Sequence, residues 1–294
     1  MKITPSQIKM LAVVGIVASL LAFLLSPRFG MAGLLAPVAG ALVVFLMLLL
    51  RNDRMAFEER LAIDARQHVD HALMKLRRDL DAQEKVQYWQ LEALVNIVAT
   101  VQPRVPLPPT RKWAASPDLL RLVMHEVLSR RPSLVMEASS GTSTVIIAYC
   151  LQKLGGGRVV ALEHDAHYAQ RTRDMIALHG LTDFAQVVDA PLVEHRLNAT
   201  TWKWYDITGL QAIDGIDMLV VDGPPEATQA MARYPALPLL HQRFSAHSVV
   251  IMDDGQRPDE REIASRWAKE FNATSASYLE LEKGAWVLEY GSTR

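Results

Sequence analysis

The chain has 294 residues, half of them hydrophobic, a formal net charge of −1 and a single cysteine, Cys150. Its Lys and Arg residues are scattered, which excludes the basic patch that nucleic-acid binding requires, so we expect no nucleic-acid partner. One cysteine excludes an intramolecular disulfide and a cysteine-based metal site. The length suits one ordinary domain with an additional segment.

Two long uncharged runs lie near the N-terminus, from Met10 to Leu25 and from Met31 to Leu50. The second has the roughly 20 apolar residues that cross a bilayer, and the first reaches that length when it is extended at its ends. A signal peptide is the alternative for the first run, because Lys2 and Lys9 precede it, but no small-residue cleavage site follows. The pattern predicts a transmembrane hairpin over residues 1–54, and hence a lipid bilayer as partner.

Positive residues lie on the two outer sides of this predicted hairpin, whereas its loop holds Arg28 alone. Positive residues favour the cytoplasmic side of a membrane. The sequence therefore predicts a multi-pass protein of the cell membrane whose termini and folded domain are cytoplasmic. The outer residues are Lys2, Lys9, Arg51, Arg54 and Arg60.

Residues 55–102 carry dense mixed charge, no Pro and no Gly, with apolar residues at helical spacing. We predict a long helical stalk, or two helices with a break. Leu73, Leu76 and Leu80 fit a coiled-coil seam that glutamines then interrupt, so a homo-oligomer through the stalk stays open beside a helix that folds back on the domain. The apolar residues available for folding back are Trp89, Leu91, Leu94, Val95 and Val98.

Four prolines mark residues 103–115 as an extended linker, because proline rings disfavour helix and remove backbone donors. Within it, Trp113 would either wall a pocket or plug the linker onto the domain. Residues 116–294 then form the folded domain, which begins with a helix that has Ser116 as its cap and Pro117 at its first position.

From Ser133 onward, apolar strands alternate with amphipathic helices, the pattern of a parallel sheet covered on both faces. The fold class is therefore α/β, with a Rossmann-like, doubly wound, mostly parallel seven-stranded sheet. Lys283-Gly284 forms the tight turn of a C-terminal β-hairpin, which adds an antiparallel strand. The other strands are predicted at about 133–138, 158–163, 184–189, 216–222 and 248–253.

The first of these strands ends in the small-residue turn Glu137-Ala138-Ser139-Ser140-Gly141-Thr142-Ser143, which leads into a helix. Small residues let a backbone approach a ligand closely, and a helix N-terminus supplies amide donors. The next strand ends at Glu163, where such folds place a carboxylate for a ribose. The strict G-x-G-x-x-G of dinucleotide sites is absent, so an NAD(P)-dependent enzyme is the weaker alternative.

Together with Asp222 and Asp253-Asp254 at the ends of two later strands, these motifs resemble the class I S-adenosylmethionine-dependent methyltransferases, in the small-molecule O-methyltransferase branch. The resemblance covers roughly residues 110–290, with Ser139 in place of the first glycine of the family's E-x-G-x-G-x-S loop. It implies S-adenosyl-L-methionine as cofactor. The residues expected to bind it are Glu137, Ser139, Ser140, Gly141, Ser143, Glu163, His164, Asp189, Ala190 and Asp222.

Methyl transfer from a sulfonium requires alignment of donor and acceptor and, for a hydroxyl acceptor, removal of a proton. Asp222 is the predicted catalytic residue, as base or as orienting group, with His164 and His125 as distant candidates. Asp222, Asp253 and Asp254 could also hold Mg2+, as similar acids do in the catechol O-methyltransferase group. Two departures stand against this: no lysine follows Asp222, and the later strand ends Asp-Asp rather than Asp-Asn.

The sequence thus predicts a membrane-anchored, cytoplasm-facing methyltransferase acting on an oxygen of a small molecule, a lipid-linked precursor or a glycan. The alternative is a membrane scaffold whose methyltransferase-like domain is catalytically weak. Acceptor specificity would depend on the loops near 192–212 and 223–240, whose shape no motif determines.

Overall fold

The computed structural model describes residues 4–25, 32–111 and 114–291. The chain divides into two compact units, Met1–Ala82 and Gln83–Arg294. The turn around Arg28 and the linker residue Trp113 lie outside the described residues, so the predictions made for them are not addressed.

The first unit contains α1 (Pro5–Leu25) and the larger part of α2 (Ala32–Val101). The two helices approach closely at Gly15, where an added Cβ would lie 3.2 Å from the Cβ of Ala41. Helix α2 runs through the predicted boundary at residue 54 without a break. Over residues 4–25, 32–111 and 114–291, no helix supplies an apolar stretch sufficient in length and mean hydropathy for a bilayer span. The predicted transmembrane hairpin over 1–54 is therefore not supported.

The last turns of α2 belong to the second unit and dock there through a small apolar face. Ala93 and Ile97 are fully buried, and the side-chain oxygen of Gln90 accepts a hydrogen bond of 3.1 Å from the backbone N–H of Asp118. The helix end thus packs on the domain, but the face predicted for docking is wrong. Four of the five apolar residues named for it are exposed: Trp89, Leu91, Val95 and Val98.

The remaining elements of the second unit alternate between strands and helices. In chain order they are α3 (Pro117–Arg130), β1 (Leu134–Ala138), α4 (Thr142–Leu154), β2 (Arg158–Glu163), α5 (Ala166–Leu178), β3 (Ala185–Asp189), β4 (Leu192–Leu197), β5 (Thr200–Tyr205), β6 (Ile216–Val221), α6 (Ala236–Leu240), β7 (Phe244–Met252), α7 (Pro258–Glu270), β8 (Ser275–Leu279) and β9 (Ala285–Gly291).

Seven strands form one sheet in the order β3-β2-β1-β6-β7-β9-β8. The first five are parallel, and β9 runs antiparallel to both β7 and β8. Successive residues of a strand point to opposite faces: Val135 joins the core beneath α3, α4 and α5, and Met136 joins the core beneath α6 and α7. This confirms the predicted mostly parallel, doubly wound seven-stranded sheet with its C-terminal hairpin.

A second, two-stranded sheet is formed by β4 and β5, where the sequence suggested only a loop. Its turn includes Asn198, whose φ of 55° lies in the left-handed region that asparagine tolerates. The alternation of the hairpin is weak because several of its side chains are exposed on both faces. It nevertheless buries Trp204 and Tyr205 against the main sheet.

The carboxyl ends of the parallel strands share one edge of the sheet, since parallel strands all point the same way. Ala138, Glu163 and Val221 end three neighbouring strands there. In open α/β sheets this edge is where ligands bind. The residues that follow these strands therefore lie where a ligand would bind.

Candidate functional site

A cavity of about 290 Å³ opens against the turn between β1 and α4, which we call the cofactor loop (residues 139–143). The loop is fixed by its own backbone: the N–H of Ser139 donates to the carbonyl of Leu162 at 3.0 Å, and the N–H of Gly141 donates to the hydroxyl of Thr144 at 3.0 Å. The cavity is lined by Pro108, Pro109, Arg111, Ala114, Ala115, Ser139, Ser140, Gly141, Thr142, Ser143, Tyr168, Arg171, Thr172, Met175 and Asp222.

Ser139 adopts a backbone conformation that glycine tolerates and other residues rarely adopt, with a φ of 122°. At this position the E-x-G-x-G-x-S loop motif, which the sequence resembles, has its first glycine. The substitution therefore keeps the shape of the loop at a cost in backbone strain.

Glu137 is fully buried beneath the cofactor loop and does not line the cavity. Its Oε2 accepts a hydrogen bond of 2.6 Å from the hydroxyl of Thr144, and its Oε1 has no partner among the described residues. Burial raises the pKa of Glu137 to about 7. The structure thus gives this residue a place in holding the start of α4.

The carboxylate of Glu163 bonds both to the cofactor loop and to the two residues that lead into α5. Its Oε1 accepts from the backbone N–H groups of His164 and Asp165, at 2.9 and 3.1 Å, and its Oε2 accepts from the hydroxyl of Ser140 at 3.0 Å. The cap of α5 is Asp165, whose side chain accepts from two amides of the first turn. Glu163 therefore keeps its carboxylate beside the loop, at the place predicted for a ribose acid.

Glu163 does not itself line the cavity, and neither do three other predicted cofactor residues that lie near it. The Nδ1 atom of His164 is 3.1 Å from Oε1 of Glu163. Asp189 is 61 % exposed and pairs with Arg173 at 2.7 Å. Ala190 is buried, and its backbone N–H donates to the Glu163 carbonyl at 2.7 Å. They are grouped at the ends of β2 and β3, and their part in cofactor binding stays a prediction.

Sequence reasoning missed the helix face and the linker that complete the cavity. Tyr168, Arg171, Thr172 and Met175 lie on one face of α5 at helical spacing, a signal that could have identified them once the strand before them was assigned. The linker contributes Pro108 and Pro109 to the cavity, and no pattern in the sequence predicted this.

Asp222, Asp253 and Asp254, here called the acid cluster, follow β6 and β7 at the same edge. One carboxylate oxygen from each lies within 4.8 Å of the others. Burial, followed by the neighbouring charge of Asp253, raises the pKa of Asp222 well above its usual range, while Arg233 opposes the shift. Asp222 is the member that also lines the cavity.

The guanidinium of Arg233 lies within the acid cluster and is almost fully buried. Its Nη2 is 2.5 Å from Oδ2 of Asp254 and 3.3 Å from Oδ1 of Asp222, and its Nη1 donates to the carbonyl of Asp253 at 2.7 Å. Nothing local in the sequence marked this residue, because it lies in the irregular segment before α6.

A second cation comes from the turn of the C-terminal hairpin, where Nζ of Lys283 is 3.7 Å from Oδ2 of Asp253. The segment after Asp222 carries no lysine, as the sequence showed, and the ammonium group arrives from a distant part of the chain. At Gly223, an added Cβ would lie 2.2 Å from the hydroxyl of Tyr205, so the β4-β5 hairpin closes tightly over this strand end.

The acid cluster does not fit the Mg2+ expected from its composition. Mg2+ requires oxygen ligands at about 2.0–2.1 Å in near-octahedral geometry. Nη2 of Arg233 already contacts one oxygen of Asp222 and one of Asp254. A Mg2+ ion bound to those two oxygens would have to displace the guanidinium.

Comparisons with known proteins agree with this architecture. A family described as a methyltransferase domain matches residues 138–255, and no curated protein matches the chain. An SAH-bound methyltransferase from Podospora anserina is 12 % identical, with 72 % of this chain and 96 % of that one covered at a TM-score of 0.52. A methyltransferase from Geobacter sulfurreducens is 14 % identical (68 % and 89 % covered, TM-score 0.48), and an O-methyltransferase from Bacillus cereus in complex with SAH is 18 % identical (69 % and 90 %, 0.46). At 12 % identity, the similarity to the Podospora anserina structure shows a shared fold and no more.

Proposed function

We propose that this chain, which carries an S-adenosylmethionine-dependent methyltransferase domain, transfers the methyl group to an oxygen atom of a small molecule, a lipid-linked precursor or a glycan. The observation that carries the proposal is that the cofactor loop and Asp222 line one cavity. A methyl donor held by the loop would thus lie beside a group able to take a proton.

The cofactor end of the cavity suits S-adenosylmethionine. Its carboxylate would find backbone N–H groups at the start of α4, where the helix dipole favours negative charge. Its ribose hydroxyls would donate to Glu163, in exchange for the present contact with the Ser140 hydroxyl. Burial of Glu163 against the loop supports this arrangement, because a carboxylate held in place loses little freedom on binding.

Transfer is a direct displacement in which the bond between the acceptor oxygen and the methyl carbon forms as the bond from that carbon to sulfur breaks. The proton of the acceptor hydroxyl goes to the carboxylate of Asp222. A raised pKa makes an ionised carboxylate a stronger base, which suits this step. The reaction then yields S-adenosylhomocysteine and a methyl ether or ester.

The place of the reaction, at the cytoplasmic face of the cell membrane, is a separate part of the proposal. It is supported by the two uncharged runs of the sequence and by exposed apolar side chains on α1, such as Leu11 (48 % exposed) and Leu24 (72 %). Fractionation of the full-length protein tests the membrane association. Recovery in the membrane pellet until detergent is added is expected, and recovery in the supernatant without detergent contradicts it.

The activity is tested with S-adenosylmethionine labelled in its methyl group and the purified full-length protein, incubated with membrane-lipid and polar-metabolite extracts. Label is expected in a product that releases methanol when an ester is hydrolysed, or methyl iodide when an ether is cleaved with hydriodic acid. An Asp222→Asn preparation serves as the matched control. Label on nitrogen or carbon contradicts O-methylation. A protein that binds cofactor but labels no extract favours the scaffold alternative.

A further inference from the structure

We infer that the guanidinium of Arg233 is the resident cation of the acid cluster and that it occupies the position a divalent metal ion would need, so that the centre works without one. Arg233 is then a positioning residue that holds Asp222 at the edge of the cavity. The inference goes beyond methyl transfer itself, and the binding test below does not depend on any acceptor.

The first reason is the position of the Arg233 guanidinium among the three acids. One carboxylate oxygen from each of the three acids lies within 4.8 Å of the others, and a metal ion shared by the acids would lie among these oxygens. Nη2 of Arg233 lies inside reach of two of these acids, at 2.5 Å from Asp254 and 3.3 Å from Asp222, while Nη1 is held by the Asp253 carbonyl. The planar guanidinium thus links the acids that follow β6 and β7, as a shared metal ion would.

The second reason is the balance of charged side chains around the acid cluster. Around the cluster, Arg257 contacts Asp254 at 3.0 Å, Lys283 approaches Asp253 at 3.7 Å, and Arg233 approaches the buried Glu260 at 3.6 Å. Three cations therefore meet four carboxylates. These cations balance all but one of the negative charges, so little charge is left to attract a divalent ion, and the buried guanidinium of Arg233 would repel one at short range.

The third reason is the difference in burial between Arg233 and Asp254 on one side and Asp222 on the other. The side chain of Arg233 is 4 % exposed and that of Asp254 is 7 % exposed, whereas that of Asp222 is 16 % exposed. Arg233 and Asp254 therefore face each other and not the cavity, and only Asp222 is left open to an acceptor. Arginine suits such a site because it stays charged and presents donors in a fixed plane.

Mn2+ provides a probe that reports on the cluster directly, through its electron paramagnetic resonance signal. We expect the full-length wild-type protein to leave Mn2+ free at millimolar concentration, and we expect the Arg233→Ala variant to bind it. A second substitution, Asp254→Asn, should abolish the binding gained. The conservative variant Arg233→Lys should bind at least tenfold more weakly than Arg233→Ala, because it keeps a cation in the cluster.

Binding of Mn2+ by the wild-type protein, lost on Asp254→Asn, would overturn the inference. So would a folded Arg233→Ala variant that binds no Mn2+. If Arg233→Ala does not fold, the wild-type titration decides alone, since the inference requires that no ion bind at the cluster. Where methyl transfer has been observed, the wild-type rate should also be the same with and without a chelator.

Discussion

The cofactor loop and the acid cluster lie at neighbouring strand ends, yet they are built in opposite ways. The loop presents backbone and small side chains to a cavity of about 290 Å³. In the cluster, Asp253 and Asp254 are buried against Arg233, and Asp222 is the member that stays partly exposed. The loop is open to a ligand, whereas the charged groups of the cluster are largely paired with one another and leave one carboxylate, that of Asp222, at the edge of the cavity.

The largest effect on activity is expected from neutralising the carboxylate of Asp222. Asp222→Asn should lower kcat by at least about 100-fold, the contribution of a positioned base, and should change the Kd for S-adenosylmethionine far less. Steady-state rates and calorimetric titration check the two effects. Asp214→Asn, at a site 79 % exposed just before β6, is the matched control and should leave both unchanged.

The pH dependence of the wild-type rate refines the same point. Asp222 acts only when ionised, so activity should fall as pH decreases through its raised pKa, well above the usual range of a carboxyl group. Asp222→Asn should lose this limb of the profile. A limb that persists unchanged in the variant would assign the base to another group.

The largest effect on stability is expected at Glu137, beneath the loop. Its pKa is about 7 in the fold against 4.5 in the unfolded chain, so the unfolded state releases its proton first and wild-type stability is lost as pH rises from 4.5 to about 7. Above pH 7 the Glu137→Gln variant should gain up to about 3 kcal/mol relative to the wild type, and near pH 4.5 little or nothing. Urea unfolding at both pH values measures this, and the exposed Glu194→Gln should show no such pH-dependent gain.

Glu163 tests whether the loop and the strand beside it bind cofactor as one surface. Glu163→Gln removes the charge but keeps the shape, and should weaken S-adenosylmethionine binding by about tenfold, the difference between a charged and a neutral hydrogen-bond acceptor. Calorimetry provides the Kd. Asp165→Asn, which alters only the cap of α5, should leave that Kd unchanged, and an equal loss in both variants would contradict the assignment.

The smallest expected effect concerns Ser139. Ser139→Gly should relieve a φ of 122° and raise the free energy of unfolding by about 1 kcal/mol, after allowing for the extra freedom of glycine in the unfolded chain. Cofactor affinity should stay the same. Ser140→Gly provides the contrast, because it removes the hydrogen bond to Glu163 and should destabilise the fold.

The sequence predicted the parallel strands because their apolar runs are long and bounded by clear turns. It predicted β1 and β2 to within a residue. It also predicted the final hairpin, but the turn spans residues 280–284 and not Lys283-Gly284 alone. It missed the β4-β5 hairpin because exposure on both faces hides a two-residue alternation.

The candidate site was predictable only where its residues follow strands directly. The cofactor loop, Glu163 and the acid cluster all do so, and the shared carboxyl edge of a parallel sheet brings them together. Arg233 and Lys283 enter from an irregular segment and from a turn far along the chain, so no local pattern relates them to Asp222 or Asp253.

The most direct test of the central claim is calorimetric titration of the full-length protein with S-adenosylmethionine and, separately, with NAD(P). The cavity beside the cofactor loop predicts saturable one-to-one binding of S-adenosylmethionine, weakened by Glu163→Gln, and no binding of the dinucleotide. Absence of S-adenosylmethionine binding at millimolar concentration, or binding of NAD(P) in its place, would contradict the account.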